Sequence, residues 1–280
     1  MSTEYTPTTW VNYPNTSTPI SAENLNHIEN GIVTLYDKLS NSTAGFHNSI
    51  YRGEYLGDGV TYEQWQAISS GTFDDLFIGD YWTYNNVNYR IAGFDYYLNT
   101  GDTICTDHHV VIVPDTCLDS QYIDTDTPYT NQVNGYANTT MRTDGLSNSK
   151  NTINSMFGSN HILSHRIKLV DSVSSGKPNR TSWFTSTVDL MSEIMLFGTK
   201  ILSSMGETTR VYNECVEKSQ LPLFRLDHSK IVSDKGYWLR EGQSGGNWIY
   251  LSNKGEVTSY HYTTGIDSDN RGVRPVFCIK

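Results

Sequence analysis

The sequence has no long apolar run, few cysteines and fewer basic than acidic residues, and each shortage excludes a class of protein. No stretch approaches the roughly 18 apolar residues that span a bilayer. Residues 1–7 lack the basic and apolar regions of a signal peptide, so we expect a protein that is made in the cytosol and is not inserted into a membrane. A formal net charge of −10 argues against binding to nucleic acid, which needs clustered Lys and Arg.

The four cysteines are too sparse for a disulfide framework, and no two of them form a CxxC pair. They are Cys105, Cys117, Cys215 and Cys278, and we expect reduced, mostly buried thiols. Tyrosine is abundant instead, with 19 residues amid many Asn, Ser, Thr and Gly. Flat amphipathic rings beside neutral hydrogen-bonding groups suit a surface that binds glycans or proteins. The alternative is that many of these rings fill half-buried strand positions.

The first forty residues differ in character from the rest. Residues 1–20 are rich in Thr, Asn and Pro and predict an extended arm without a core of its own, in which Trp10 is a candidate attachment residue. Ser21 is a favourable N-cap, and Ile20 and Leu25 have the spacing of a hydrophobic staple. A helix is therefore expected to begin after Ser21.

This helix carries a narrow apolar seam whose members are separated by three, four, three and four residues, as in a coiled coil. The seam consists of Leu25, Ile28, Ile32, Leu35 and Leu39. We expect it to join several copies, with a trimer as the first choice; the alternative is a helix docked on its own domain. The polar residues 40–45 end the seam. We therefore assign 1–45 to attachment and oligomerisation, and 46–280 to a globular head.

The head is predicted to be a mixed α+β domain. Thr61 and Gln64 form a capping box and Gly71 is a stop, which predicts a helix over Tyr62–Ser70. The apolar residues 188–197 predict a second, buried helix. Strands are expected at 81–83, 89–94, 109–113, 237–240, 248–252, 256–263 and 273–279. Residues 119–149 predict a long loop of the kind that often carries binding.

Two of the C-terminal strands are expected to form a hairpin with an aromatic face. Asn253, Lys254 and Gly255 fit a three-residue turn with the glycine in the left-handed position. Alternation along the strands then separates Ile249, Leu251 and Val257 from the aromatic residues Trp248, Tyr250, Tyr260 and Tyr262. We predict that the aromatic residues form the ligand-binding surface.

Several motifs resemble phage proteins. Thr8-Thr-Trp-Val-Asn12, Thr18-Pro-Ile-Ser-Ala-Glu-Asn-Leu-Asn26 and Ile28-Glu-Asn-Gly-Ile32 resemble the opening segment of many tail and appendage proteins of Gram-positive phages. From residue 51 onward the chain is similar to a phage and prophage domain family of poorly defined function. The similarity includes Tyr237-Trp-Leu-Arg240 and Gly272-Val-Arg-Pro-Val-Phe277, which also resemble strands of C-type-lectin-like folds. The calcium-binding signatures of those lectins are missing.

The resemblance implies a virion protein, either a tail fibre or a baseplate appendage, that is assembled in the host cytoplasm. Its N-terminus would bind other virion proteins, and its head would adhere to a glycan or protein of the host surface. One alternative is a purely structural head-fibre or decoration protein. Another is an enzyme that degrades cell wall or glycan, although isolated carboxylates are the only support for it.

No constellation of residues predicts catalysis. Ser244 occupies a nucleophile-elbow pattern, but both of its flanks predict strands and no His follows the acidic candidates Asp267 and Asp269. His161 and His165 have the spacing of a helical zinc pair, with Ile162 where a zinc protease carries Glu. Asp74, Asp75 and Asp80 are candidates for a glycosidase acid pair, and Asp124 and Asp126 for a calcium site, but structural roles such as turns and caps are expected for all five. We expect a binding protein that is not an enzyme and needs no metal or cofactor.

Two arginines are expected to be structural. Arg240 and Arg274 lie beside apolar strand residues, where a guanidinium group usually pairs with a buried carboxylate. We predict that they clamp strands together.

Overall fold

The chain forms two compact units, Met1–Thr43 and Ala44–Lys280. The computed structural model describes residues 9, 20–40, 44–124, 135–174, 177–203, 219–243, 247–261 and 271–280. The predicted α+β class is confirmed, because the second unit contains several sheets and few helices. None of the described helices is long and apolar enough to cross a membrane.

The first unit contains helix α1 (Ala22–Ser40), which begins as predicted. The backbone N–H of Asn24 donates to Ser21 Oγ at 3.2 Å, so Ser21 is the N-cap. Leu25 and Ile32 of the predicted seam are 49% and 57% exposed. Trp10 and the side chains of Leu35 and Leu39 lie outside the described part of the structure.

The remaining elements belong to the second unit. Its strands are β1 (Tyr55–Gly57), β2 (Tyr81–Tyr84), β3 (Val87–Phe94), β4 (Val110–Pro114), β5 (Asp119–Gln121), β6 (His165–Ser174), β7 (Lys177–Ser186), β8 (Val188–Leu190), β9 (Tyr237–Gln243), β10 (Asn247–Leu251), β11 (Val257–His261), β12 (Arg271–Val273) and β13 (Pro275–Ile279). Its α-helices are α2 (Ala44–His47), α3 (Tyr62–Ser70), α4 (Ser147–Phe157), α5 (Glu193–Phe197) and α6 (Pro222–Leu226). Single turns of other helix types span Tyr136–Asn138, Met141–Gly145, Ser159–His161 and His228–Ile231.

The strands form three sheets. Six strands pair in the order β1-β2-β3-β4-β13-β8, five in the order β11-β10-β9-β12-β5, and β6 pairs with β7 alone. The pairs β1/β2 and β9/β12 are parallel, and the other pairs are antiparallel. Because β12 and β13 are consecutive in the chain, the C-terminal segment passes from the five-stranded sheet into the six-stranded one.

The apolar core is built on the central strands β4 and β13, in which every residue is buried. Phe157 of α4 makes ring contacts with Tyr89 of β3 and Phe277 of β13, at centroid distances of 5.7 and 5.3 Å. Ile68 of α3 and Phe224 of α6 are also fully buried. Since truncating a buried Phe to Ala typically costs about 3–5 kcal/mol, these rings fix the helices on the sheet.

Predictions that rest on local signals are confirmed. Helix α3 has the Thr61–Gln64 capping box, and Gly71 ends it with a left-handed φ of 74°. A Cβ at Gly71 would come within 2.6 Å of the His108 ring, so the position requires glycine for space as well as for conformation. The hairpin between β10 and β11 turns at Gly255, whose φ is 85°.

Other predictions are wrong. Residues 188–197 do not form one helix: β8 pairs with β13 first, and α5 begins only after its N-cap Ser192. An apolar run without periodicity suits a buried strand as well as a helix, and pairing with β13 decides between them. The predicted loop 119–149 contains β5, two helical turns and the start of α4. The long β6–β7 hairpin was not predicted at all.

Arg274 is the residue at which the chain passes from β12 to β13, and it is a clamp of a different kind from the one predicted. Its Nε donates to the carbonyl oxygen of Pro114 at 2.8 Å, and Nη1 and Nη2 donate to those of Ile231 and Lys230, each at 2.9 Å. Nη1 also lies 3.3 Å from the hydroxyl of Tyr237. The partners of this buried guanidinium are therefore carbonyl dipoles and not a carboxylate.

We predict that Arg274→Ala lowers the free energy of unfolding by about 3 kcal/mol or more, because buried carbonyl groups lose their donors and a cavity remains. The melting temperature should fall by roughly 10 °C in calorimetry. Arg274→Lys should rescue only part of this loss, since an ammonium cannot reproduce the planar fork. The exposed turn residue Lys254 provides the control, and an Arg274→Ala protein that melts like Lys254→Ala would contradict the clamp.

Candidate ligand-binding site

The residues of β10 alternate between the two faces of the five-stranded sheet, as predicted. Trp248 lies opposite Tyr260 of β11, and Tyr250 lies opposite Thr258. Ile249 and Leu251 are fully buried on the other face, in agreement with strand alternation. The side chain of Tyr260 and the whole of Tyr262 lie outside the described residues, so their part in the site stays a prediction.

Two residues that the sequence did not single out join this face. Trp238 of β9 lies opposite Tyr250, and their rings meet edge to face with centroids 5.9 Å apart. The guanidinium carbon of Arg271, on β12, lies 3.4 Å from the centroid of the Tyr250 ring and 5.4 Å from that of Trp238. A cation over an aromatic face contributes about 0.5–2 kcal/mol. We call Trp238, Trp248, Tyr250 and Arg271 the aromatic face.

Two residues of the aromatic face are buried and two are half-buried. Trp248 is only 8% exposed and Trp238 is buried, with its Nε1 donating to the carbonyl oxygen of Gln121 at 2.9 Å. Tyr250 and Arg271 are half-buried and are the more exposed members of the aromatic face. Trp238 thus packs against the Tyr250 ring, and a ligand would meet the more exposed Tyr250 and Arg271 first.

The aromatic face offers binding chemistry. A tyrosine ring can pack against the C–H groups of a sugar, and the guanidinium that lies over this ring can donate hydrogen bonds to hydroxyl oxygens. Thr258 of β11, which lies opposite Tyr250, is half-buried and adds a small hydroxyl group to this face.

His161 and His165 do not lie on one helix, so their spacing does not form a zinc pair. His161 ends a single helical turn and stacks on Trp65, with ring centroids 4.0 Å apart. His165 begins β6 and stacks on Tyr97, also at 4.0 Å. Burial lowers the pKa of His165 to about 3, so its imidazole is neutral at physiological pH. Within the described ranges, no three His, Cys, Asp or Glu side chains converge as metal ligands would.

The acidic residues near Trp82 have structural roles, and two of them pair with Arg52, which the sequence did not predict. Asp80 is completely buried and accepts hydrogen bonds from the Arg52 guanidinium, at 2.8 Å for Nη2, and from the backbone N–H groups of Glu54 and Phe77. Asp75 pairs with the same guanidinium. Arg52 therefore joins this turn to the segment before β1.

The other acidic candidates behave in the same way or lie outside the described structure. Asp74 accepts from Thr72 Oγ1 at 2.9 Å. Asp124 accepts from the backbone N–H and the hydroxyl of Thr140 at 3.2 and 3.0 Å. Asp126 and Ser244 belong to segments that the structure does not describe.

One pair of acidic residues, Glu193 and Glu241, was not predicted from the sequence. Glu193, at the first position of α5, is completely buried, and its backbone N–H donates to Glu241 Oε2 at 3.1 Å. Its carboxylate accepts from the backbone N–H groups of Leu202 and Ser203 at 2.9 and 3.1 Å. Burial raises the pKa of Glu241 to about 7, with Glu193 adding to the rise and Arg240 opposing it. The two residues are 48 positions apart in sequence, so no local signal relates them.

Comparison with protein-family models, with curated proteins and with solved structures finds no match for this chain. The phage resemblance of the sequence motifs therefore stays an expectation, and the function has to be argued from the geometry of the molecule.

We predict that Glu241→Gln changes how stability depends on pH. The pKa of Glu241 is about 7 in the folded state, whereas its ordinary value is 4.5. The protonated group therefore stabilises the fold at low pH, and this contribution is lost as pH rises from 4.5 through 7. Glutamine does not titrate. The variant should therefore gain on the order of 2 kcal/mol relative to the native chain between pH 5 and 8 in urea unfolding.

The matched control is Glu63→Gln on the exposed surface of α3. Its stability difference from the native chain should stay nearly constant over the same pH interval. A Glu241→Gln difference that is equally flat would show that Glu241 ionises normally in the folded chain.

Proposed function

We propose that this chain is a structural protein of a phage virion, in a tail fibre or baseplate appendage, whose head binds a glycan of the host surface. The observation that carries the proposal is the half-buried ring of Tyr250, which lies under the Arg271 guanidinium and meets the buried Trp238 edge to face. Such a rigid aromatic surface with neutral polar neighbours suits the mixed apolar and hydroxyl surface of a sugar.

The proposed role of α1 is to join copies of the chain, with three as the first choice. Leu25 and Ile32 expose about half of their surface in the single chain, although they belong to an apolar seam with coiled-coil spacing. A second and third copy would cover this seam. The occupant that we propose is therefore the same helix from neighbouring copies, and Trp10 with the preceding arm would contact other virion proteins.

Self-association would strengthen a weak binding site. A half-buried ring and one guanidinium give a small contact area, so a single head should bind a sugar weakly. Several heads on one stalk raise the effective concentration of the second and third sites and thus the total affinity. This reasoning links the seam to the aromatic face.

We also propose a distant likeness of the head to C-type-lectin-like folds. The two sequence motifs behind it lie on β9 and on β12 and β13, and β9 pairs with β12 between Tyr237 and Gly272. The likeness supplies a scaffold for presenting a surface and no calcium-dependent chemistry.

We predict that Ile32→Asp converts the assembly into a single chain of 31.6 kDa, because charges would meet at the centre of the seam. Light scattering after size-exclusion chromatography measures the mass directly. Val33→Asp is the matched control, since Val33 is similarly exposed but lies one residue away from the seam. A native chain that is already monomeric at micromolar concentration would refute the role given to α1.

We predict that Tyr250→Ala weakens binding to an array of immobilised bacterial surface polysaccharides at least about tenfold. The loss of the ring removes both the sugar contact and the partner of Arg271. Tyr62→Ala is the control, because Tyr62 is an exposed tyrosine of α3 away from the aromatic face. The proposal fails if the native chain binds no polysaccharide or if the two variants bind equally well.

A further inference from the structure

A second place in the head has the features of a ligand site. A cavity of about 270 Å³ opens where the turn after β3 meets the segment that leads into α6. Its polar lining comes from Asn48, Asp95, Tyr96, Gln220 and Arg225, and Leu98 contributes an apolar wall. None of these residues belongs to the aromatic face.

The floor of the cavity is held rigid by hydrogen bonds. The Asp95 carboxylate, 9% exposed, lies 2.8 Å from His108 Nδ1 and accepts from the backbone N–H of His109 at 3.0 Å. The Asn48 amide donates to the carbonyl oxygen of Phe94 at 3.0 Å and accepts from its N–H at 2.8 Å. These polar groups are therefore oriented before any ligand arrives, which reduces the entropy lost on binding.

The rim keeps hydrogen-bonding capacity for a ligand. Tyr96 donates its hydroxyl proton to the carbonyl oxygen of Ser219 at 2.6 Å, which leaves the phenolic oxygen as an acceptor. Gln220 Nε2 donates to the carbonyl oxygen of Leu196 at 2.7 Å, and Arg225 Nη2 to that of Asn48 at 2.9 Å. Among the described residues, no group forms a hydrogen bond with Gln220 Oε1 or Arg225 Nη1.

The charge and size of the cavity select the ligand. One carboxylate beside a histidine, one guanidinium and two amides offer donors and acceptors in mixture, which suits adjacent hydroxyl groups better than an isolated ion. Leu98 and Pro222 provide apolar contacts for C–H groups. The volume falls just below the range of about 300–1,000 Å³ typical of drug-sized ligands, which suits a single ring.

We propose that this cavity is a second carbohydrate subsite, which takes a single neutral sugar ring. The assignment rests on the proposed glycan-binding function and extends it, because it gives each head a pocket for one sugar unit in addition to the aromatic face. Arg225 and Gln220 bind hydroxyl groups at the rim. Asp95 accepts a hydrogen bond from a hydroxyl group at the floor, and Leu98 packs on the sugar ring.

The test uses the full chain and three probes: methyl α-D-glucopyranoside, methyl α-D-galactopyranoside and N-acetyl-D-glucosamine. Saturation-transfer difference NMR measures the affinity of each. At least one probe should bind, and its affinity should fall about tenfold or more in Arg225→Ala, which removes a charged donor. Leu98→Trp, which fills the cavity, should have the same effect. Tyr62→Ala is the control that should bind like the native chain.

Both cavity variants change side chains that are at least partly exposed, and their melting temperatures check that they fold. The proposal is overturned if none of the three probes binds, or if binding survives both cavity variants. Binding that is lost in Tyr250→Ala alone would place the sugar on the aromatic face, which refutes the cavity site and leaves the proposed function standing. A probe that depends on the cavity while the polysaccharide array stays empty would support the subsite and refute the proposed adhesion.

Discussion

The buried guanidinium of Arg274 is the contact on which the arrangement of the head depends. It lies at the point where the chain leaves the five-stranded sheet and enters the six-stranded one, and it binds carbonyl oxygens at the end of β4 and in the turn before β9. A buried charge without a carboxylate is tolerated only if dipoles surround it. The two sheets must therefore reach their native arrangement together for the guanidinium to be solvated by the protein.

The aromatic face inherits its geometry from the same short strand. Arg271 and Arg274 are three positions apart, and an odd spacing in extended chain directs side chains to opposite sides. The segment that buries Arg274 just after β12 thus places Arg271, at the start of β12, on Tyr250. Because β12 also pairs with β9 at Tyr237, it sets the position of the neighbouring Trp238. A clamp inside the head and a binding surface outside it are in this way set by one short segment, 271–274.

The features that the sequence predicts correctly are those that depend on interactions between residues close in the chain. A capping box, a left-handed glycine and strand alternation act over a few residues, and they correctly give α3, Gly71, the β10–β11 hairpin and the opposite faces of Trp248 and Ile249. Residues 188–197 show the limit, since their apolar run becomes strand β8 only because β13 lies beside it. Long-range pairing overrides local preference there.

The candidate sites lie mostly beyond that limit. Tyr250 was found by alternation, but Trp238 and Arg271 reach it through pairing with β9 and β12, and the cavity joins Asp95 to Arg225 across more than a hundred residues. Such juxtapositions depend on sheet order, which no local pattern encodes. In the proposed assembly each head presents one shallow surface and one small cavity, both weak alone. The exposed seam of α1 then matters most, because valency, and not the area of either site, would set the strength of adhesion.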